Sequence, residues 1–330
     1  MSAAVPMLPA CISPELQYAI SCEVRNGLFC EGQKTLSPWL FYDEDGSALF
    51  ERITELPEYY PTRTERALFE QHGAAIIAAA AGKQRLSVLE LGAGTATKTG
   101  ILLEDVVRRQ GSVRYIPVDV SASALDEARI SLERRLPGVH VHPMVRNYVL
   151  DPLERPMVDG RLLALYIGSS VGNFSPEEAL SILRNLASIL RPGDALLLGT
   201  DMIKDEETLL AAYNDAAGVT AEFNRNVLRR LNREMGADFD LSAFRHIATW
   251  NPRESRIEMH LQALRRQAIH FPSLGTVECE AGETLHTENS YKFTRQSLRD
   301  LFADTGFRAE KQWRDDQNWF SVTLARLLPD

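Results

Sequence analysis

The sequence predicts an α/β fold, in which a mostly parallel sheet has helices on both faces and an α+β segment is inserted before the last strands. Three observations predict it: an apolar run breaks into a glycine turn at residues 88–99, strand and helix patterns alternate over residues 86–200, and this alternation stops after Asp201. Alternating strands and helices are typical of a parallel sheet covered on both faces. A chain of 330 residues has room for two ordinary cores, so we expect two domains.

The glycine turn at residues 92–94 follows a strand at 86–91 and precedes a helix at 98–109. Glycine has no side chain, so the backbone there allows a nucleoside to approach closely. Thr97 replaces the third glycine of the dinucleotide fingerprint, and no G-x-x-x-x-G-K-[ST] run is present, which disfavours dinucleotide and phosphate-loop sites. The acid within the strand, Glu90, gives an E-x-G-x-G pattern that favours S-adenosylmethionine instead.

The second predicted strand, residues 114–119, ends in Asp119, about 25 residues after Gly94. This spacing suits a carboxylate that accepts a ribose hydroxyl, although a solvated turn acid is the alternative for Asp119 taken alone. A fourth strand at 162–167 runs into a polar loop at 168–176. Ligands of open sheets bind beyond the carboxyl ends of the strands, so we expect this loop to face the cofactor, with Asn173 as its candidate functional side chain.

The remaining predicted elements follow from local patterns. Aromatic residues are dense at 39–50, where they meet a turn, and at 56–65, so they either pack a small core or line a pocket. Thr62 or Thr64 is expected to cap the next helix. The other predicted helices span 14–26, 67–81, 177–190, 206–216, 221–235 and 295–304, and the other predicted strands span 139–145, 195–198, 244–250, 256–270, 287–293, 307–313 and 319–325.

Composition narrows the possible partners. The net charge of −9 and the scattered basic residues disfavour a nucleic-acid surface, so a small-molecule substrate is expected. The longest apolar run, residues 74–81, is too short to span a bilayer, and the first residues do not resemble a secretory leader. We therefore expect no membrane association and a cytoplasmic location.

Cysteine and histidine spacing predicts neither disulfides nor a metal. The four cysteines, at 11, 22, 30 and 279, form no C-x-x-C pair, so reduced thiols are expected. His140 and His142 form an H-x-H, but a strand face explains it, because no third ligand has a supporting spacing.

With these stretches in place, the sequence resembles the histidine N-alpha-methyltransferases of ergothioneine biosynthesis, within a wider family of S-adenosylmethionine-dependent amine methyltransferases. The stretches that carry the resemblance are residues 39–43, 56–65, 168–173, 199–201, 211–220, 223–226 and 287–290. The resemblance implies a Rossmann-like class I methyltransferase sheet, residues 61–200 and 293–330, with an inserted α+β substrate-binding domain, residues 1–60 and 201–292. It also implies trimethylation of the alpha-amine of L-histidine, through its mono- and dimethyl intermediates, to hercynine.

The resemblance also assigns site residues position by position. The cofactor positions are Gly92, Gly94, Lys98 and Asp119, together with Asn147 and Tyr148, where the family usually has an acid and an aromatic residue. An asparagine can still accept a bond from the adenine amino group through its carbonyl oxygen. The substrate positions are Tyr42, Phe50, Tyr59, Gly168, Asn173, Tyr213, Met259, Glu288 and Ser290.

Chemistry gives these positions roles. Tyr42 is the candidate for accepting or relaying the amine proton, and Asn173, with Tyr59 and Tyr213, is expected to hold the amino acid end of the substrate. Glu288 and Ser290, two apart on a strand, share a face and together satisfy both nitrogens of an imidazole.

Two other functions stay open. One is methylation of another amine, such as a tryptophan derivative, whose indole has a donor and no ring acceptor. The other is a non-catalytic S-adenosylmethionine-binding protein. A nicotinamide oxidoreductase is disfavoured by the missing third glycine.

Overall fold

A computed structural model describes residues 13–94, 96–149 and 151–328. The chain divides into two compact units. The small-sheet unit comprises the chain up to Tyr60 and Asp205–Ser290, and the large-sheet unit comprises Pro61–Lys204 and the chain from Tyr291 onward. The assignment of cofactor binding to one unit and substrate binding to the other stays a prediction. No helix among the described residues is long and apolar enough to cross a membrane.

The described helices are α1 (Pro14–Leu28), α2 (Glu44–Thr54), α3 (Tyr60–Ala81), α4 (Thr99–Gln110), α5 (Ala122–Arg135), α6 (Pro176–Ile189), α7 (Glu206–Tyr213), α8 (Val219–Met235) and α9 (Arg295–Asp304). The described strands are β1 (Lys34–Thr35), β2 (Leu86–Leu91), β3 (Val113–Asp119), β4 (Val139–Val141), β5 (Met144–Val145), β6 (Arg161–Tyr166), β7 (Ala195–Asp201), β8 (Phe244–Asn251), β9 (Arg256–Ala263), β10 (Gln267–Phe271), β11 (Gly275–Cys279), β12 (Thr284–Tyr291), β13 (Phe307–Arg314) and β14 (Phe320–Leu327).

The large sheet has the order β4-β3-β2-β6-β7-β14-β13, with β5 beside β3. The strands from β4 to β7 are parallel to their neighbours, whereas β14 is antiparallel to β7 and β13 is antiparallel to β14. The chain order reverses between β2 and β6, which is the switch point where open sheets bind ligands. The predicted α/β fold, with a mostly parallel sheet, is confirmed.

Both faces of the large sheet are covered. One core cluster includes Ile76 of α3, Leu102 of α4 and Leu132 of α5, and the other includes Leu183 of α6 and Phe302 of α9. Every residue of β2 is buried, including Ser87 and Glu90, so this central strand shows no alternation of apolar and polar residues. Full burial of each such large apolar side chain stabilises the fold by about 1.5–3 kcal/mol.

The small-sheet unit has a four-stranded sheet of order β1-β12-β9-β8 and a separate hairpin of β10 and β11. Strands β8 and β9 pair antiparallel from Phe244 opposite Ala263 to Asn251 opposite Arg256. Helix α8 buries Phe223, Val227 and Leu231, spaced four residues apart on one face.

Four local expectations were wrong. The strand predicted at 139–145 is two strands, because Pro143 lacks the N–H that would continue the ladder. The strand predicted at 256–270 breaks after Ala263, where the Leu264 amide donates to the Ala243 carbonyl instead. Neither Thr62 nor Thr64 caps α3, which already begins at Tyr60.

The fourth error lies in the first aromatic stretch, where the expected turn is helix α2. Its N-cap is Asp43, whose Oδ1 accepts the Gly46 N–H at 2.7 Å. The helix requires glycine at 46, because a Cβ there would lie 1.7 Å from the Phe41 carbonyl oxygen.

Candidate functional site

The glycine turn follows β2, at the carboxyl edge of the large sheet. Gly92 and Gly94 have φ of 66° and 49°, a region that other residues rarely adopt. A Cβ on Gly92 would lie 3.1 Å from the Tyr148 hydroxyl, whereas a Cβ on Gly94 would meet no atom within 4 Å. The turn therefore has open space beside Gly94, as close approach of a ligand to the backbone requires.

The acid of the E-x-G-x-G pattern supports this turn from inside the sheet. Glu90 is buried, and its carboxylate accepts hydrogen bonds from the Thr99 hydroxyl at 2.8 Å and from the Tyr115 hydroxyl. Burial raises the pKa of Glu90 to about 7, against the opposing effect of these hydrogen bonds. Glu90 thus joins β2 to β3 and to the first residue of α4 in one buried network.

Asp119, at the end of β3, lies next to the glycine turn. Its Oδ2 accepts the Gly94 N–H at 3.2 Å and its Oδ1 accepts the Ser121 N–H at 3.0 Å. A carboxylate offers about four lone-pair sites, so two further acceptor sites remain for ribose hydroxyls. The structure therefore brings Gly94 and Asp119 together, and the ribose contact stays a prediction.

Asn147 and Tyr148 occupy the predicted adenine positions. The Asn147 Oδ1 accepts the Val149 N–H at 3.1 Å, and this bond forms a local Asx turn. A ligand bound by the same oxygen would share it with the Val149 N–H. Tyr148 lies edge-on to Tyr166, with ring centroids 5.9 Å apart. Burial raises the pKa of Tyr148, so this tyrosine is a neutral residue beside Gly92.

Lys98 contacts a buried acid that the sequence analysis did not assign. Its Nζ lies 2.6 Å from Oε2 of Glu65, whose carboxylate also accepts the Gly168 N–H at 2.9 and 3.0 Å. The Glu65 side chain is fully buried, and a Cβ on Gly199 would lie 2.1 Å from its Oε1. One carboxylate therefore connects α3, the start of α4 and the loop after β6. The sequence did contain a signal for this contact: Glu65 lies four residues before Phe69, on the buried face of α3, where a charged residue is expected to be paired.

The loop after β6 carries Gly168 and Asn173. Ser169 has φ of 57°, and its hydroxyl oxygen accepts the Asp201 N–H at 2.9 Å. Asn173 is half-buried at the end of the 3-10 turn Ser170–Asn173, and its amide forms no hydrogen bond with any described residue. The backbone of the loop is held while this amide keeps its donors and acceptor for a ligand.

A second set of predicted residues lies together in the small-sheet unit, in a row of aromatic contacts. Tyr42 contacts Phe50, Phe50 contacts Tyr59 and Tyr59 contacts Tyr213, with ring centroids 5.8, 6.3 and 6.2 Å apart and rings edge to face. The row ends in a 2.6 Å hydrogen bond between the hydroxyls of Tyr213 and Ser290. Such edge contacts fix ring orientation in addition to burying apolar area.

Glu288 and Ser290 lie on the buried side of β12. Burial alternates along the strand up to Thr287, and then Thr287 and Glu288, which point to opposite faces of the strand, are both buried. Glu288 and Ser290 are 8% and 5% exposed, as residues on one covered face should be. Met259, on β9, is buried beside them in the sheet, and its carbonyl accepts the Thr287 hydroxyl at 3.0 Å.

A polar network that the sequence analysis did not predict holds this row in place. The Asn224 Oδ1 accepts the Thr287 hydroxyl at 2.7 Å, and its amide donates to Nδ1 of His246 at 2.9 Å. Burial lowers the pKa of His246, so its ring is neutral and Nε2 donates to the Tyr213 carbonyl at 2.8 Å. Helix α8 thereby fixes the end of α7 through one histidine.

The predicted H-x-H is not part of a ligand cluster. His140 and His142 are exposed, and the group of described residues that lie close enough to share a metal ion is Glu258, His260 and His286. Cys22, Cys30 and Cys279 are free thiols, and Cys11 lies outside the described residues.

A parallel sheet with an antiparallel hairpin at its edge, a glycine turn after its first strand and an acid after its second together define a Rossmann-like methyltransferase. Comparison with known proteins makes the assignment specific. A family profile described as "histidine-specific methyltransferase, SAM-dependent" matches residues 20–327. The chain belongs to this family, and its methyl donor is S-adenosylmethionine.

Individual relatives agree. The histidine N-alpha-methyltransferases of Mycobacterium tuberculosis and Mycolicibacterium smegmatis are each 43% identical to this chain, over 309 and 308 residues, and each match covers 93% of this chain and 94% of the relative. Ergothioneine biosynthesis protein 1 of Neurospora crassa is 30% identical over 300 residues, covering 86% of this chain and 32% of that protein.

Proposed function

We propose that this protein transfers three methyl groups from S-adenosylmethionine to the alpha-amine of L-histidine, giving hercynine as the first step of ergothioneine biosynthesis. Membership of a histidine-specific family supports the substrate. The observation that carries the proposal is the polar pair in an aromatic setting: Glu288 and Ser290 on one buried strand face, with Ser290 bonded to Tyr213.

The polar pair suits an imidazole. A neutral imidazole has one N–H donor and one nitrogen acceptor, and a carboxylate beside a hydroxyl offers the complement of both. We assign the Ser290 hydroxyl, which is hydrogen-bonded to Tyr213, to the acceptor nitrogen of the imidazole and the Glu288 carboxylate to its N–H. An indole would leave the Ser290 proton unmatched, so histidine is favoured over a tryptophan derivative.

The large-sheet unit offers groups for the methyl donor. The open space at Gly94 fits close approach of a ligand, and Asp119 is proposed to accept the ribose hydroxyls. Lys98 has two N–H donors beyond the one directed at Glu65, and we assign one of them to the donor's carboxylate. We assign Asn147 and Tyr148 to the adenine. When bound, S-adenosylmethionine supplies a methyl group already activated on a sulfonium.

The protein's own task is to orient the amine and free it of its proton. The lone pair of the amine nitrogen forms the new N–C bond as the S–C bond breaks and S-adenosylhomocysteine leaves. The first two products are ammonium ions, and each must lose a proton before the next transfer. Tyr42, in the aromatic row, is proposed to accept or relay that proton, with water as the further carrier. Orientation alone is equivalent to an effective concentration of about 10⁵–10⁸ M.

The alpha-amine and carboxylate of the substrate are proposed to bind one amide side chain and two tyrosine side chains of the protein. Asn173 has both donors and an acceptor without described partners, so it suits a carboxylate and an amine together. Tyr59 and Tyr213 are assigned the same part of the substrate from the small-sheet unit, and Phe50 and Met259 supply apolar surface. The only partner proposed here is the small-molecule substrate. A cytoplasmic location stays a prediction.

Substrate selection tests the proposal. Purified protein is incubated with S-adenosylmethionine and either L-histidine, L-tryptophan or a tryptophan derivative, and release of S-adenosylhomocysteine is measured. We expect turnover with histidine and little with the indoles. Turnover only with an indole would overturn the histidine assignment, and S-adenosylmethionine binding without turnover on any amine would support a non-catalytic binding protein.

A further inference from the structure

We propose that the small-sheet unit binds a divalent transition-metal ion of the zinc class through Glu258, His260 and His286. Glu258 and His260 are two apart on β9 and are half-buried, while Ile257 and Met259 between them are buried. His286 is half-buried on the neighbouring strand β12. The three side chains therefore lie together among the half-buried residues of the sheet.

The ligand atoms are close together. One ligand atom from each residue lies within 4.8 Å of the other two, and the two imidazole rings are stacked with centroids 4.7 Å apart. The Glu258 Oε2 and the His260 Nε2 are separated by 3.3 Å. Two ligand atoms bound at 2.0–2.1 Å to a tetrahedral ion lie about 3.3 Å apart, so this pair already has the required spacing.

Neighbouring groups orient the ligands as they do in metal sites. The Glu258 Oε1 accepts bonds from Arg256 at 2.8 Å and Asn251 at 2.9 Å, which leaves Oε2 directed at His260. The His286 Nε2 donates to the Glu288 carbonyl at 3.1 Å, so Nδ1 carries the lone pair. A histidine ligand usually donates its other N–H to a carbonyl or carboxylate in this way.

At neutral pH the side chains of Glu258, His260 and His286 do not have to lose a net proton before they bind a metal ion. Burial lowers the pKa of both His260 and His286, so both rings are neutral. Burial acts to raise the pKa of Glu258, but hydrogen bonds from Asn251 and Arg256 outweigh it and bring this pKa to about 2. Neutral imidazoles and an ionised carboxylate are the ligand forms that metal ions bind.

Two buried polar atoms around the cluster are unsatisfied. Among the described residues, Nδ1 of His260 and Oδ1 of Asn289 have no hydrogen-bond partner. Nearly all buried polar atoms in proteins are partnered, so these two mark a place where the chain alone does not fill the hydrogen-bonding capacity.

Calorimetric titration of Zn²⁺ into untagged, EDTA-treated full-length protein tests the proposal. We expect one ion per chain, and binding more than about tenfold weaker in His260→Gln and His286→Gln, since even residues that only orient ligands contribute 10–100-fold. His270→Gln, at an exposed histidine of β10, is the matched control and should bind like the wild type. Absence of binding by the wild type, or equal binding by both cluster variants, would overturn the site.

A second measurement needs no variant. Co²⁺ bound to the wild type should give the absorption bands of tetrahedral nitrogen and oxygen coordination. Sulfur-to-metal charge-transfer bands would assign the ion to a thiol such as the exposed Cys30 and would reject the cluster. Neither result depends on histidine methylation, because both experiments measure metal binding directly.

Discussion

At the scale of single residues, the proposed selection of histidine depends on the buried carboxylate of Glu288. Glu288 is 8% exposed and shares its strand face with Ser290, which is fixed by its bond to Tyr213. A buried imidazole N–H that loses its acceptor costs about 1–3 kcal/mol. The selectivity for histidine should therefore be concentrated in these few groups.

Glu288→Ala should weaken histidine binding by about 1–3 kcal/mol, because the imidazole N–H would be left without an acceptor. Calorimetry with S-adenosylhomocysteine present measures this change. Glu278→Ala, at an exposed glutamate of β11, is the matched control. Unchanged histidine affinity in the Glu288 variant would remove this residue from the site.

Tyr42→Phe should lower the rate of methylation and alter its pH profile, because the variant lacks the proposed proton acceptor while keeping the contact with Phe50. Steady-state rates across neutral and alkaline pH measure the effect. Tyr18→Phe, at a tyrosine that is 73% exposed on α1, should leave the profile unchanged. A Tyr42 variant with the wild-type rate and profile would reject the proposed role.

The family resemblance assigned Tyr42, Phe50, Tyr59 and Tyr213 to a substrate pocket, and two-residue spacing put Glu288 and Ser290 on one strand face. That these residues bind the substrate stays a prediction of the residue patterns and the resemblance. They did not predict the partners of Asn224 or the cluster of His260 and His286, because these contacts join strands and helices that are distant in sequence. Only the order of strands in the sheet brings such residues together.

At the scale of elements, Glu65 joins three of them. Its buried carboxylate links α3 to Lys98 and to the backbone of Gly168, so the starts of α4 and of the loop after β6 depend on one side chain. Gly199 on β7 leaves the room that this carboxylate occupies.

Glu65→Gln should weaken S-adenosylmethionine binding about tenfold or more, because Lys98 loses its ion pair and hydrogen bonds to charged groups contribute about 1.5–3 kcal/mol. Calorimetric titration of the cofactor measures this. Glu70→Gln, at an exposed position of the same helix, is the matched control. Equal cofactor affinity in both variants would contradict a positioning role for Glu65.

Glu90→Gln should change how stability depends on pH. The folded pKa of Glu90, about 7, lies above its ordinary value of 4.5, so the contribution of this carboxyl to stability is complete below about pH 4.5 and is lost as pH rises through 7. Glutamine cannot ionise, so the variant should gain roughly 3 kcal/mol relative to the wild type between about pH 5 and pH 8. Urea unfolding of both proteins at pH 5 and pH 8 measures this gain. A difference in unfolding free energy that is the same at both pH values would contradict the raised pKa of Glu90.

Elements with a strong period were predictable and irregular ones were not. The mostly apolar strand β2 and the alternation of strand and helix patterns along residues 86–200 predicted the parallel sheet. Helix α2 was missed because its start is set by Asp43 and by a backbone contact that only glycine at 46 permits, in a stretch whose aromatic residues hide the helical period.

At the scale of the whole molecule, the large-sheet unit contains the glycine turn, and the small-sheet unit contains the aromatic row and the polar pair. The loss of strand–helix alternation after residue 201 predicted that the large sheet is interrupted in sequence. The hydrogen-bond networks within each unit were not predictable, because they depend on which buried surfaces meet after folding.

The most direct test of the account is mass spectrometry of the product formed from L-histidine and excess S-adenosylmethionine. We predict a product carrying three added methyl groups on the alpha-amine, with three equivalents of S-adenosylhomocysteine formed for each histidine consumed. Methylation that stops after one group, or that occurs on the imidazole ring, would contradict the proposed function.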